Sequence, residues 1–445
     1  MRRKYNFILL IIIIMIFFLS IFTSSSYSGS KEYPIGPNIT SSDNVLIFAP
    51  HPDDETLSSA GVIRYCVQNH IPVHVVVVTN GGTGKLSQIR HFETLNATAK
   101  LGLSSQNVTF LDYPQVVNNL FDDNWDPNHS YEDGPKHNSF AYQKNSSYNG
   151  VSLENNVESM INKYKPTIII YPAFYDDNTD HWGTGAFVDY AINRMGYNAK
   201  MYTYLIHDDS TLWPFPRSYF PQSDLTPPAH LINQTNWFIF PLTSSDEQYK
   251  FDAVDSYQSQ MKHDPVFLRS YIRKNELFGM NNNITVNKTN NSNDYINSTT
   301  FPETVFHEPT QDIITKTTDL LYSAFGNVNK YDIENVGFES DNNITWISVK
   351  TLGGISKNGI YQFHIRGFGD DGITRIDFEV QNGTANFYMP SSNSIHPHLL
   401  IRSNSDGIVV GIPDMTNKNS YMVDIETSNI KQNVDRTGYF TLKLS

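Results

Sequence analysis

The chain of 445 residues is long enough for two or three domains that each bury a core of their own. Its formal net charge of -13 argues against a nucleic-acid-binding protein, because phosphate binding requires a basic surface. The single cysteine, Cys66, excludes an intramolecular disulfide bond.

The first 30 residues are typical of a targeting signal. Basic residues at positions 2–4 precede an apolar run over residues 7–22, and small polar residues follow. The run of about 16 residues lies between a usual signal core and the roughly 20 residues that span a bilayer. A cleaved signal peptide and an uncleaved signal-anchor over residues 1–30 therefore both remain open. In either case we expect the rest of the chain to be extracytoplasmic, secreted or anchored to the membrane through residues 7–22.

After the predicted signal, a motif rich in acidic residues follows the first apolar run of the chain. Residues 45–48 are apolar, and residues 49–55 read Ala-Pro-His-Pro-Asp-Asp-Glu before a helix-like pattern. This order predicts a strand, a turn and a helix, which places His51 and three carboxylates at the carboxyl end of a strand. Three neighbouring negative charges require a cation, an arginine or a helix N-terminus. Taken alone, the motif is equally well explained as an acidic first helical turn beside a surface histidine.

A second polar cluster lies downstream. Residues 166–172 predict another buried strand, and residues 176–181 then read Asp-Asp-Asn-Thr-Asp-His. Since the carboxyl ends of parallel strands meet at one edge of a sheet, both clusters would lie together. Two histidines and one or more aspartates are ligands suited to Zn²⁺ with an open position for water.

Strand and helix patterns alternate through this region. Strands are predicted at 72–79, 107–111, 168–171 and 201–206, and helices at 55–69, 86–101, 151–163 and 186–194. This alternation predicts an α/β domain with a Rossmann-like, doubly wound, mostly parallel sheet. Residues 113–149 read as a long insertion over the site, which makes them a candidate lid.

These residues resemble the LmbE-like (PIG-L) deacetylases, zinc-dependent enzymes that remove acetyl groups from N-acetylglucosamine-containing molecules. The resemblance rests on residues 50–55, on Arg90-x-x-Glu93-x-x-x-Ala97-x-x-x-Leu101-Gly102, and on Asp180-His181 after a strand. It predicts a catalytic domain over residues 43–278. Residues 204–207 and 250–260 look like later segments of the same family and carry less weight.

The resemblance implies a role for each motif residue. His51, Asp54 and His181 would bind Zn²⁺ or another divalent metal and leave a position for water, whose pKa falls to about 7 on zinc. Asp53 would be the general base that takes the proton of the water and passes it to the leaving amine. Asp180 would orient a histidine.

Two positions leave alternatives open. The family often has a histidine three residues before the last ligand, and this chain has Asn178, an amide that can donate a hydrogen bond to the oxyanion but cannot carry a proton. Either Asn178 substitutes for that histidine or another group does, for example His207. Arg90 resembles the substrate-contacting arginine of the family, and its alternative role is an ion pair with Glu93 on one helix.

The composition changes after residue 278. Residues 279–305 are rich in Asn, Ser and Thr and predict a linker, and a helix is predicted at 311–325. Short alternating stretches over residues 331–445 predict a C-terminal all-β, sandwich-like domain. Such a domain binds carbohydrate or a cell surface in some exported enzymes and serves as a spacer in others, and both roles remain open.

The favoured function is an exported metal-dependent hydrolase that removes the N-acetyl group from N-acetylglucosamine-type amino sugars in a glycan or glycolipid. The expected partner is this N-acetylated amino-sugar substrate, with no nucleic acid. Two alternatives remain: a non-catalytic carbohydrate-binding surface protein, and a metallohydrolase of another amide or ester. Many Asn-x-Ser/Thr motifs agree with an exported glycoprotein, although an Asn-rich chain produces such motifs by chance.

Overall fold

A computed structural model gives the structure of most of the chain. It describes residues 32–131, 137, 139–208, 213–281, 284–290, 292–310, 328–387, 396–429 and 433–445. The predicted signal over residues 1–30 and the predicted helix at 311–325 lie outside the described residues. Within the described ranges, no helix has both the length and the apolar character needed to cross a bilayer.

The described residues form the following helices and strands. The helices are α1 (Asp54–Gln68), α2 (Lys85–Lys100), α3 (Val117–Asp122), α4 (Gly150–Tyr164), α5 (Thr179–Met195), α6 (Ser244–Val254), α7 (Gln258–Met261) and α8 (Pro265–Arg269). The strands of the N-terminal region are β1 (Val45–Ala49), β2 (Val73–Thr79), β3 (Val108–Tyr113), β4 (Ile168–Pro172), β5 (Lys200–Tyr204), β6 (Asn236–Pro241) and β7 (Asn275–Met280). The remaining strands are β8 (Ile284–Val286), β9 (Thr304–His307), β10 (Ile333–Ser340), β11 (Thr345–Thr351), β12 (Ile360–Gly369), β13 (Gly372–Gln381), β14 (Thr384–Phe387), β15 (Leu400–Asn404), β16 (Gly407–Ile412), β17 (Ser420–Ser428), β18 (Asn433–Arg436) and β19 (Phe440–Leu444).

The N-terminal sheet is mostly parallel, as predicted. Its strand order is β3-β2-β1-β4-β5-β7-β6, and every pairing from β3 to β5 is parallel. Strand β7 runs antiparallel to both of its neighbours. All residues of β1 and β4 are buried, which explains why both strands are continuous apolar runs in the sequence.

The strand order reverses between β1 and β4. From β1 the chain continues to β2 and β3 on one side, and it then returns to β4, which pairs with β1 on the other side. In open α/β sheets, ligands bind at the carboxyl ends of the strands at such a reversal. Both polar clusters of the sequence follow these two strands, so the topology brings them to one place.

Helix α1 starts at this edge and is kinked at Ser59. After the kink, the N–H of Gly61 donates to Glu276 Oε1 at 2.8 Å, and before it the carbonyl of Leu57 accepts from Lys250 Nζ at 2.8 Å. Lys250 and Glu276 also pair with each other at 2.9 Å with fully buried side chains. The ion pair therefore satisfies backbone groups at the kink and fixes the direction of the helix.

The C-terminal region is rich in antiparallel strands, as predicted. One sheet has the order β15-β16-β11-β10-β9, and the other has the order β14-β13-β12-β17-β19-β8 with β18 paired to β17. The two sheets share one apolar core, in which Ile347 of β11 and Phe363 of β12 are fully buried. This arrangement is a sandwich of two packed sheets.

The predicted linker over residues 279–305 is corrected by the structure. It contains β8, which pairs with β19, and the start of β9, which pairs with β10. Between these strands Ser292 donates to Asp341 from its backbone and its hydroxyl, both at 2.7 Å, and the Tyr295 hydroxyl donates to Glu339. Polar side chains hold this stretch against the sandwich. Its low apolar content was therefore not a sign of a linker.

Candidate metal centre

Three buried side chains that follow β1 and β4 bring their donor atoms together. His51 Nδ1 lies 3.2 Å from Asp54 Oδ2 and 3.1 Å from His181 Nε2, and the last two atoms are 3.1 Å apart. In a tetrahedral zinc site with bonds of 2.0–2.1 Å, neighbouring ligand atoms lie about 3.4 Å apart. The spacing of these atoms fits the ligand set of one divalent metal ion.

The far nitrogen of each histidine faces a carboxylate. His51 Nε2 lies 3.0 Å from Asp180 Oδ2, and His181 Nδ1 lies 3.1 Å from Asp176 Oδ2. A carboxylate in this position accepts a hydrogen bond from the ring N–H, and the lone pair of the other ring nitrogen is then available to a metal. Two such lone pairs and an ionised Asp54 at this distance would repel one another without a cation between them. The arrangement therefore fits a metal-binding site.

Asp53 is held beside this set in an unusual backbone conformation. Its φ is 145°, and its N–H donates to Glu55 Oε2 at 3.2 Å. The other Glu55 oxygen accepts from the Thr56 hydroxyl at 2.8 Å and from the Tyr257 hydroxyl. Burial raises the pKa of Asp53 to about 6, while the charge of Arg90 opposes this shift. A carboxylate with this pKa can accept a proton near neutral pH.

The region that carries this set is similar in sequence to a known family. Residues 46–192 match the family model of PIG-L, described as GlcNAc-PI de-N-acetylase. Residues 46–192 are a PIG-L family domain. The match includes the His–Asp–His set and Asp53, so the predicted family resemblance is confirmed over this range.

One curated relative is similar to part of the chain. Over 101 residues the chain is 29% identical to a protein of Schizosaccharomyces pombe named "Probable N-acetylglucosaminyl-phosphatidylinositol de-N-acetylase". The aligned segment covers 22% of this chain and 40% of that protein. The chain thus spans less than half the length of the relative that it matches.

Arg90 of the PIG-L domain contacts the candidate base. The guanidinium donates to Asp53 Oδ2 at 3.0 Å, and to the carbonyls of Pro52 and Gly81 at 2.8 Å each. Arg90 is only 5% exposed, whereas the carboxylate of Glu93 accepts from Ser259 at 2.6–2.7 Å. Arg90 therefore ties the loop after β1 to the loop after β2. Its predicted contact with substrate stays a prediction.

Asn178 caps the helix that carries His181. Its side-chain oxygen accepts from the N–H of Asp180 at 2.9 Å, and its own N–H donates to Asp176 Oδ1 at 3.0 Å. This cap fixes the first turn of α5. A role of the Asn178 amide at the oxyanion stays a prediction.

His207 is the other candidate for the oxyanion. Its ring centroid lies 4.8 Å from that of His181, and its ring stacks on Phe267 at 5.5 Å. Burial lowers the pKa of His207 to about 4, so the ring is neutral at physiological pH. A neutral imidazole in this position is a hydrogen-bond donor rather than a cation.

The sequence prediction missed several residues that support the PIG-L site. Asp176 faces His181 and also accepts from the N–H of Ile206 at 2.8 Å, while Glu55 and Tyr257 hold the Asp53 turn. Asp176 belongs to the second acidic cluster, but spacing alone does not tell which of its carboxylates folds back to the histidine. Tyr257 lies far along the chain, in the 250–260 segment whose family likeness carried less weight.

Proposed function

We propose that the protein removes the N-acetyl group from an N-acetylglucosamine-type amino sugar of a glycan or glycolipid, with Zn²⁺ or another divalent metal bound by His51, Asp54 and His181. The single observation that carries this proposal is the Asp53 carboxylate, held by Arg90 beside that ligand set in a PIG-L domain. Membership of a deacetylase family supports an enzyme of this reaction class.

The residues of the chain have separate tasks in this reaction. A bound divalent metal would supply Lewis-acid chemistry, since it lowers the pKa of a coordinated water and polarises a carbonyl. The Arg90 bond occupies Asp53 Oδ2, which leaves Oδ1 to take a proton from the attacking water. The new C–O bond forms at the acetamide carbon, and Asp53 then passes the proton to the amine nitrogen as the C–N bond breaks. The products are acetate and a free amino sugar.

We also propose that this activity is extracytoplasmic. The support is the order of basic, apolar and small polar residues in the first 30 positions, which is that of an export signal. An acetylated glycan or glycolipid on the outer side of a membrane would then be the accessible substrate. Protease protection of the full chain in sealed vesicles tests this placement, and full digestion from the cytoplasmic side would contradict it.

The reaction is tested by acetate release from N-acetylglucosamine oligomers and from N-acetylglucosaminyl-phosphatidylinositol. The full chain is assayed beside Asp53→Asn, which keeps the metal ligands and removes the base. We expect acetate release from at least one substrate and a loss of about 10³-fold or more in Asp53→Asn with metal content unchanged. Equal rates for both proteins, or binding of sugar by metal-loaded protein without turnover, would contradict the proposal and favour a carbohydrate-binding protein.

A further inference from the structure

The C-terminal sandwich contributes side chains to the core of the PIG-L domain. Phe368, Met422 and Tyr439 of the sandwich are at most 4% exposed, and they pack in the same apolar cluster as Phe187 and Tyr190 of α5. The sandwich therefore packs directly against the PIG-L domain. Two series of contacts connect the sandwich to the metal centre, and each is called a route below.

The first route reaches His51. The hydroxyl of Tyr439 donates to Asp122 Oδ1 at 2.8 Å, and Asp122 is the last residue of α3. At the other end of this short helix, the N–H of Val117 donates to Asp180 Oδ1 at 2.8 Å. Asp180 Oδ2 lies 3.0 Å from His51 Nε2. One helix of six residues thus joins the sandwich to the carboxylate that faces a metal-ligating histidine.

The direction of the Tyr439 hydroxyl is fixed by the sandwich itself. Arg366 Nη2 donates to the Tyr439 oxygen at 3.2 Å, and Arg366 Nη1 donates to Asp377 Oδ1 at 2.6 Å. Because Arg366 occupies an acceptor site of the hydroxyl, the proton of Tyr439 is directed to Asp122. Arg366 is fully buried, so this arrangement is part of the folded interface.

The second route reaches His181. The guanidinium of Arg436 lies 3.4 Å above the ring of Trp182, the residue that follows His181 in the first turn of α5. Arg436 also donates to Asp424, which is fully buried, and its Nε lies 3.4 Å from Glu426. Trp182 is only 5% exposed. The ring beneath the guanidinium is therefore closely packed and has little room to move.

We propose that the C-terminal sandwich positions both histidines of the metal centre, Tyr439 acting on His51 through α3 and Asp180, and Arg436 acting on His181 through Trp182. Metal affinity and reaction rate are sensitive to small displacements of ligands, and groups that orient ligands typically change metal affinity by 10–100-fold when removed. The effect on reaction rate rests on the proposed function, whereas the effect on metal affinity does not. Tyr439 and Arg436 are positioning residues, because neither touches the site directly.

Full-length Tyr439→Phe tests the first route, with Tyr361→Phe as its matched control. Both tyrosines are buried in the sandwich, but the hydroxyl of Tyr361 donates to the Lys330 carbonyl at 2.9 Å, within the sandwich. Zn²⁺ affinity is measured by competition with a chelator, and the ligand geometry is measured from the visible spectrum of the Co²⁺-loaded protein. We expect Tyr439→Phe to weaken Zn²⁺ binding about 10-fold and to alter the Co²⁺ spectrum. Tyr361→Phe should lower the unfolding temperature and leave both readouts unchanged.

Arg436→Lys tests the second route without leaving Asp424 and Glu426 unpaired. A lysine keeps the charge but cannot lie flat on Trp182 as a guanidinium does. We expect an altered Co²⁺ spectrum and a Zn²⁺ affinity between those of wild type and Tyr439→Phe. Zn²⁺ affinities and Co²⁺ spectra equal to wild type in both Tyr439→Phe and Arg436→Lys would overturn the positioning role. If metal binding is weakened in these variants while wild type releases no acetate, the positioning role stands and the proposed reaction fails.

Discussion

Arg90 Nη2 lies 3.0 Å from Asp53 Oδ2, and both side chains are almost completely buried. The same guanidinium holds two backbone carbonyls of neighbouring loops. An arginine used in this way sets the position of the candidate base, whereas a substrate-binding arginine would have its donors free for the sugar. The two roles predict different kinetics.

Arg90→Met should lower kcat by about 10²-fold or more and change KM little, since Asp53 loses the donor that positions it. Arg90→Lys should recover only part of the rate, because one ammonium group cannot reach three acceptors that lie in different directions. Steady-state kinetics on the metal-loaded protein, with metal content as the control, measure both effects. A large rise of KM at unchanged kcat would instead support the substrate contact predicted from the sequence.

Tyr257→Phe should loosen the turn that carries Asp53. It removes the hydroxyl that donates to the buried carboxylate of Glu55, which in turn accepts from the N–H of Asp53. Glu55 Oε1 would keep only the Thr56 hydroxyl as a donor. The lost hydrogen bond costs about 0.5–1.5 kcal/mol of the free energy of unfolding, and we expect a fall of kcat of about 10-fold. Tyr197→Phe is the control, because its hydroxyl donates to the Pro166 carbonyl just before the amino end of β4. If both variants retained the wild-type kcat, Tyr257 would have no role in positioning the base.

Lys250→Met should destabilise the fold strongly. It leaves the fully buried Glu276 without its cation and the Leu57 carbonyl without its donor at the kink of α1. Removing one partner of a buried ion pair typically costs about 3–5 kcal/mol. Chemical denaturation measures the change, and the double variant Lys250→Met/Glu276→Gln should be less destabilised than the sum of the two single variants. Additive single effects would show that the two residues do not interact.

The interface between α3 and the sandwich should make stability depend on pH. Burial by itself favours the neutral ring of His364, but the hydrogen bond to Asp377 and the charges of Asp122 and Glu426 raise the pKa of His364 to about 9. Since the folded pKa exceeds the unfolded value of about 6.5, this stabilisation is complete below pH 6.5 and is lost as the pH rises towards 9. The difference corresponds to about 3 kcal/mol. Urea denaturation at pH 6.5 and pH 9 should show a fall in stability that is smaller in His364→Gln, and equal falls in both proteins would contradict this origin.

The residues of the candidate metal centre could be named from the sequence because short motifs directly after two apolar strands carry them and resemble those of a known family. The sheet topology then brings His51 and His181 together without any further information. The residues that hold this set could not be predicted in the same way. Tyr257 donates to Glu55 and Tyr439 donates to Asp122, and both tyrosines lie far along the chain from these carboxylates. Only the folded structure shows these contacts.

The C-terminal region shows where composition alone is informative and where it is not. Short alternating runs predicted antiparallel strands, since inward-facing apolar residues alternate with polar ones on the sandwich. The Asn-, Ser- and Thr-rich stretch before them was predicted to be a linker, because low apolar content is typical of linkers. Hydrogen bonds such as that from Ser292 to Asp341 hold it in place, and a composition count cannot detect them.

A zinc titration of the metal-free full chain tests the proposed reaction most directly, with bound metal and acetate release measured on the same samples. We expect acetate release from an N-acetylglucosamine substrate to rise linearly with added Zn²⁺ and to stop rising at one equivalent. His181→Ala should show neither tight binding nor release. Acetate release at the full rate by metal-free protein, or one equivalent of tightly bound Zn²⁺ with no release from any N-acetylglucosamine substrate, would contradict a metal-dependent deacetylase.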